Sequence, residues 1–172
     1  MTSAEGKMRE ILIEKVTMNM GVGAPGEKLE YAKELIKRLT GRTPVETLAK
    51  RREPVFKLRK GMPIGAKVTL RRAPAREFLE KALLAKRRTL SQNNFDKTGN
   101  FAFGVAEYID FPGAKYDPAM GMLGFDVAVT LMRKGKRVAH RKLMRSKVGH
   151  KHRITKDDAI EYARSVLNIK IE

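Results

Sequence analysis

Residues 18–35 of the chain read MNMGVGAPGEKLEYAKEL. An extended segment ends, three glycines follow, and an amphipathic helix begins. Gly21, Gly23 and Gly26 have GxGxxG spacing, and strand, glycine turn and helix in that order admit two kinds of fold. In a parallel βαβ unit the turn would hold a dinucleotide, with an acidic residue ending a second buried strand roughly 20 positions on. In a sheet of another topology the glycines only let the backbone bend sharply through positive φ or close packing. Glu46 lies at the right distance, but it sits within PVETLAK, too polar for a central parallel strand. The run before the turn also lacks the continuous apolar character of a buried parallel strand. An ATP-binding P-loop is excluded, because Glu27 follows Gly26 where lysine is required.

The remaining segments favour the second kind. REILIEKVTMNM (9–20) alternates in part with β-branched residues and predicts a first strand. Leu29, Ala32, Leu35, Ile36 and Leu39 recur at helical spacing, with Gly41 as the stop. Two strands are expected near 45–50 and 66–71, separated by a loop containing Pro54, Gly61, Pro63 and Gly65. Pro74 is placed to open a second helix whose apolar face is Phe78, Leu79, Ala82 and Leu83. NNFDKTGNFAFGVAEYIDFP opens as a turn and continues as a strand. MLGFDVAVTLM is the most β-like segment, with Phe125, Val127, Val129 and Leu131 on one face. Thr155 and Asp158 form a capping pair before a last helix expected to turn Ile160, Ala163, Val166 and Leu167 inward. With no steady βαβ rhythm, the expectation is α+β: a largely antiparallel sheet, helices packed on one side, and long basic projecting loops. The chain is read as one domain of 172 residues, with a basic loop at about 52–65 and a basic extension at about 133–154 before the terminal helix.

Charge limits the partner. The 37 Lys and Arg outnumber the 19 Asp and Glu, a formal net charge of +18, and a polyanion that neutralises such an excess is the natural inference. No apolar run approaches the ~20 residues needed to span a bilayer, and no signal-type segment is seen, so a cytosolic protein with no membrane partner is expected. There is no cysteine, which removes thiolate metal sites and Cys nucleophiles. His140, His150 and His152 lie in the most basic stretch without carboxylates, so they read as a basic loop rather than a metal site. No Ser/His/Asp order, HExxH or paired-carboxylate arrangement occurs; neither catalysis nor a cofactor is expected. Asp157 and Asp158 are better suited to a helix N-terminus.

Two stretches carry the charge. KRREPVFKLRKGMPIGAKVTLRR holds nine cations against Glu53 alone, and a long cationic loop can follow a phosphate backbone without choosing sequence. RKGKRVAHRKLMRSKVGHKHR (133–153) has ten Lys or Arg and no acid, interrupted by Val138, Leu143, Met144 and Val148 and followed by Ile154. These five apolar residues are expected to anchor it as an ordered RNA-contact segment. Phe101, Phe103 and Tyr108 around one strand offer only weak support for base stacking, since two of them share a face that suits a core.

Together, KVTMNMGVG (15–23), LTGRTPVETLAK (39–50), FKLRKGMPIGAKVTLR (56–71), FDKTGNFAFGVAEYIDFP (95–112) and GMLGFDVAVTL (121–131) closely resemble the universal ribosomal L-five family of large-subunit proteins that bind 5S rRNA. KYDPAMGMLGFD and VGHKHRITKDDAIEYA resemble its archaeal and eukaryotic branch. The resemblance implies a structural protein of the central protuberance, with no catalytic activity. The implied partners are 5S rRNA, large-subunit rRNA, peptidyl-site tRNA, neighbouring large-subunit proteins and a small-subunit head protein. The family's RNA-touching asparagine, polar residue and threonine fall on Asn19, Arg42 and Thr69, with Arg42 standing where relatives usually carry glutamine. Gly21, Gly23, Thr43, Thr47, Lys50 and Arg71 complete the implied rRNA set. Lys57, Arg59, Lys60, Met62 and Pro63 make up the tRNA-facing loop. In the basic extension, further RNA contacts are expected from Arg133, Lys136, Arg137, Arg141, Lys142 and Arg145, and beyond them from Lys147, His150, Lys151, His152 and Arg153. Two rivals are a nucleotide-binding enzyme using the glycine turn and an RNA chaperone acting off the ribosome.

Overall fold

The computed structural model describes residues 4–118 and 120–171. After a short helix, α1 (Ala4–Arg9), the order is β1 (Ile11–Gly21), α2 (Glu27–Thr40), β2 (Val45–Leu48), β3 (Pro63–Leu70), α3 (Ala73–Ala85), β4 (Thr89–Leu90), β5 (Phe101–Val105), β6 (Phe125–Arg133), α4 (Lys156–Ser165) and β7 (Lys170–Ile171). Five strands form one sheet in the order β2-β3-β1-β6-β5, and every pair in it is antiparallel. A two-residue parallel ladder joins β4 to β7 near the C-terminus. The α+β expectation therefore holds. No described helix is long and apolar enough to cross a membrane.

The dinucleotide reading fails on topology. β1 lies between β3 and β6, both antiparallel to it, and the strand reached after α2 pairs with β3 rather than with β1. No βαβ crossover exists around the glycines. Glu46, the residue at ribose-binding distance in sequence, instead ion-pairs with Lys33 of α2 at 2.6 Å. The turn needs its glycines for backbone reasons: Gly23 (φ 83) and Gly26 (φ 136) occupy conformations that side chains disfavour.

Strand alternation divides the sheet into two faces. Val16, Met18 and Met20 of β1, Ala66, Val68 and Leu70 of β3, Phe101, Phe103 and Val105 of β5, and Phe125, Val127, Val129 and Leu131 of β6 are all buried in one core. Leu29, Ala32, Leu35 and Ile36 of α2 and Ala75, Phe78, Leu79, Ala82 and Leu83 of α3 cover that face. Phe111 links α3 to β6, with ring centroids 5.3 Å from Phe78 and 6.0 Å from Phe125. Phe101, Phe103 and Tyr108 are thus core residues, and base stacking on them is ruled out by burial.

α2 runs from the glycine turn to Gly41, which takes the left-handed conformation expected of a C-cap. α4 opens with the full Thr155–Asp158 capping box. Its inward face differs from expectation: Ala159, Tyr162 and Ala163 are buried, whereas Val166 is 48% exposed. The helix stops at Ser165 and Val166 is its C-cap, so helical periodicity no longer decides which way that residue faces.

Candidate nucleic-acid interface

The other sheet face is open. An antiparallel sheet tolerates one solvated face when its outward residues are polar or small, and here most are one or the other, with Val45 of the edge strand, 63% exposed, the apolar exception. Cα register places them in rows: Thr17 pairs with Thr69 and Ala128, and Ala128 with Ala102. In the next row Val45 pairs with Lys67, Lys67 with Asn19, Asn19 with Asp126, and Asp126 with Gly104. Beyond it Thr47 pairs with Gly65, and Gly65 with Gly21. The structure thereby brings Asn19, Gly21, Thr47 and Thr69 together on one surface, although they come from three strands.

The glycines there differ in what they serve. A Cβ on Gly65 would lie 2.5 Å from the Met20 carbonyl oxygen and 2.9 Å from Thr47 Oγ1, so the packing of β1, β2 and β3 requires its absence. A Cβ on Gly21 would meet nothing within 4 Å, and its φ is ordinary. Nothing in the chain itself requires glycine at position 21.

At the β3 end of this face, Arg42, Thr43, Lys67, Thr69, Arg71 and Arg72 line a cleft of about 700 Å³. Arg42 follows the α2 C-cap and is exposed, as is Thr43. The arginine and Thr69 therefore line the same cleft. Gly23 lies just past the strand, its N–H donating to the Ile64 carbonyl at 2.9 Å, while Lys50 is exposed where the β2–β3 loop begins.

That loop is an ordered hairpin. Glu53 and Leu58 exchange two backbone hydrogen bonds of 3.0 Å, and Ala49 is bonded to both Gly61 and Met62 at the base. Lys57, Arg59 and Lys60 are exposed, whereas Met62 and Pro63 belong to the base, Pro63 being the first residue of β3. Its tip holds Val55 and Phe56, 80% and 71% exposed. Sequence reasoning missed this apolar pair, visible only as two large residues after Pro54 in a run of cations.

The extension is held at both ends. Arg133 donates to Asp158 at 2.9 Å and is only 12% exposed, and Lys136 pairs with Glu14, the extra residue of a β1 bulge. These two cations serve the fold's own ion pairs. His152 Nε2 lies 2.8 Å from the Lys134 carbonyl oxygen, and Ile154 is buried. In between, Arg137, Arg141, Lys142, Arg145, Lys147, His150, Lys151 and Arg153 are exposed. Arg141 and Arg153 each donate Nε to a backbone carbonyl, of Met144 and Val148 respectively, which fixes the guanidinium and leaves its terminal nitrogens without a partner among the described residues. Leu143 and Met144, expected as anchors, are 78% and 86% exposed because they sit at the outer turn, where Met144 has φ 51. Only Ile154 is fully buried, with Val138 and Val148 half-buried.

Electrostatics reinforce the division between structural and free charge. Burial pushes the Glu14 carboxyl up, but the hydrogen bond and charge of Lys136, with Lys15 and His140 nearby, outweigh it and hold the group below its ordinary range. Among the described residues no cluster of His, Asp and Glu is arranged to hold a metal ion. Sequence reasoning also missed Thr17, Lys67 and Asp126 as members of the open face. The period of two supplied the signal for the first two, since Thr17 shares a face with Asn19 and Lys67 with Thr69.

The family model described as "Ribosomal protein L5" matches residues 7–59, and the model for the C-terminus of that ribosomal family matches residues 63–169. A protein of Methanococcus maripaludis named large ribosomal subunit protein uL5 is 48% identical over 167 residues, 95% of this chain and 92% of its own. The protein of that name from Methanoregula boonei is 43% identical over 95% of this chain and 99% of its own. The one from Methanococcus vannielii is 51% identical over 90% and 87%.

Proposed function

Since the chain belongs to the ribosomal protein L5 family, and is thus a structural, non-enzymatic constituent of the large ribosomal subunit in the cytoplasm, we propose that its open sheet face binds 5S rRNA. The observation that carries this reading is the convergence of Thr17, Asn19, Thr47, Lys67 and Thr69 with Gly21 on one uncovered surface. A-form RNA presents a wide, shallow minor groove lined by 2′-hydroxyls and base edges, and it is recognised largely by shape. Short polar side chains on a sheet with glycines between them suit that groove. Arg42, Lys50 and Arg71 at the margin supply salt-dependent phosphate contact. The exposed cations of the extension hold neighbouring large-subunit rRNA. The β2–β3 hairpin reaches peptidyl-site tRNA, and the protein's place in the central protuberance brings it against neighbouring large-subunit proteins and the small-subunit head.

Filter binding of 5S rRNA against an unrelated duplex of equal length tests the central part. We expect Asn19→Ala and Thr69→Ala each to weaken 5S binding about fivefold, the worth of one hydrogen bond at an interface, with unchanged urea unfolding. Wild-type affinity in both variants would remove these residues from the site. Changing Lys57, Arg59 and Lys60 together to alanine is expected to leave 5S affinity within about twofold and to weaken tRNA retention at the peptidyl site of reconstituted ribosomes. Collapse of 5S affinity in that variant would assign the hairpin to 5S rRNA instead.

A further inference from the structure

On a face suited to a polyanion, the residue of β6 beside Asn19 is a carboxylate. Four strands read across in register as Lys67, Asn19, Asp126 and Gly104: a cation, an amide, a carboxylate and a gap. Side chains facing one another on neighbouring antiparallel strands stand ~5 Å apart at Cβ, so the three polar residues stand in one row, with the Asp126 carboxylate leaning over Gly104. Asp126 is exposed, and no hydrogen bond or ion pair engages its carboxylate among the described residues. Two acids on the sheet strands are engaged instead, Glu14 by Lys136 and Glu46 by Lys33. A shallow cleft of about 440 Å³ opens along Asn19, Gly21, Gly104 and Asp126. Glycine at 104 makes room for the carboxylate itself, whose Oδ1 lies 3.3 Å from where a Cβ would stand, and glycine at 21 leaves open space beside Asn19 for a partner to approach.

A free carboxylate on such a surface repels phosphate and weakens indiscriminate binding. It gains only where the partner offers a hydrogen-bond donor. Base edges in the minor groove are almost all acceptors, and the exception is the N2 amino group of guanine. We propose that Asp126, in register with Asn19, selects guanine at one position of the bound RNA by accepting a hydrogen bond from that amino group in the minor groove. Asn19 faces the neighbouring acceptors and Lys67 the backbone. The proposal rests on this face being the 5S rRNA site.

The test measures 5S rRNA transcripts in which the guanosines that the protein shields from nuclease are replaced one at a time by inosine, which lacks only the N2 amino group. Wild-type protein is expected to lose about tenfold in affinity at one of these positions, the scale of one base-edge contact. Asp126→Ala is expected to bind the guanosine RNA about tenfold more weakly and to suffer no further loss at that position. Asp126→Asn, which keeps an acceptor oxygen but not the charge, should retain part of the discrimination. Three results would overturn the proposal: tighter binding by both variants, showing that the carboxylate acts only by repulsion; a full inosine penalty persisting in Asp126→Ala, placing its partner elsewhere, such as a 2′-hydroxyl; or no inosine penalty in the wild type at any position. Failure of wild-type protein to prefer 5S rRNA over the unrelated duplex would instead refute the assignment of the face, and this proposal with it.

Discussion

Gly65→Ala is expected to destabilise the protein by about 3 kcal/mol or more, beyond the usual range for one added methyl group in a packed site. The added carbon would sit 2.5 Å from the Met20 carbonyl oxygen and 2.9 Å from Thr47 Oγ1. The first of these is backbone of the central strand and cannot swing aside. Relief requires β1 and β3 to separate, or β2 to leave the sheet edge, and either costs ladder hydrogen bonds as well as core contacts. Urea unfolding measures the loss, and near-wild-type stability would show that the three strands adjust more freely than their register implies. Gly21→Val is the informative contrast. A Cβ there meets nothing within 4 Å, and a β-branched residue suits a strand, so stability should change by less than about 0.5 kcal/mol, as for other surface substitutions. If RNA lies against this face, 5S affinity should nevertheless fall steeply. Two neighbouring glycines on one surface would then be separated by what each accommodates, the chain itself at 65 and the partner at 21.

How far these sites were legible beforehand depends on the range of the interactions that define them. Local periodicity was enough for the core face of β6, since Phe125, Val127, Val129 and Leu131 alternate with outward residues along one strand. Local chemistry was enough for the Thr155–Asp158 cap and for the Gly41 stop. Leu143 and Met144 were misassigned because an apolar side chain within a cationic run has no periodic neighbours to say where it points. Val166 was misassigned because its helix ends one residue earlier. The open face is a different matter. Alternation told which residues of β1 share a side, but nothing local told that β6 would pair with β1 and set Asp126 against Asn19. Strand order is a property of the whole core. The family resemblance supplied Asn19 and Thr69 without that knowledge, and left Thr17, Lys67 and Asp126 unseen.

Asp158→Ala is expected to cost about 2–3 kcal/mol, because one carboxylate does two jobs. Its Oδ2 accepts from the Thr155 N–H at 3.0 Å, completing the cap of α4, and from Arg133 at 2.9 Å. Losing a cap alone costs about 1 kcal/mol, which is the loss expected of Thr155→Ala. The larger figure reflects Arg133, 12% exposed and with Nε buried without a partner among the described residues. Breaking a buried ion pair from one side typically costs ~3–5 kcal/mol because the remaining charge is left uncompensated, and the partial exposure of Asp158 reduces that here. Asp158→Asn keeps a cap acceptor but not the charge and should fall between the two variants. The same contacts set a pH dependence. Burial pushes the Asp158 carboxyl up, but the hydrogen bonds from Thr155 and the charge of Arg133 outweigh it and hold the group below its ordinary range. A carboxyl depressed in the folded state binds its proton more tightly when unfolded, so its stabilisation is complete above the unfolded value and is lost as pH falls through the folded one. Urea unfolding should therefore show the gap between wild type and Asp158→Ala at full size near neutrality and shrinking on acidification below about pH 4, the ordinary aspartate value. Glu14, depressed in the same direction by Lys136, keeps some acid sensitivity in the variant. A gap that stayed constant down to strong acid would mean that the aspartate contributes through packing and the cap, with no share from its charge against Arg133.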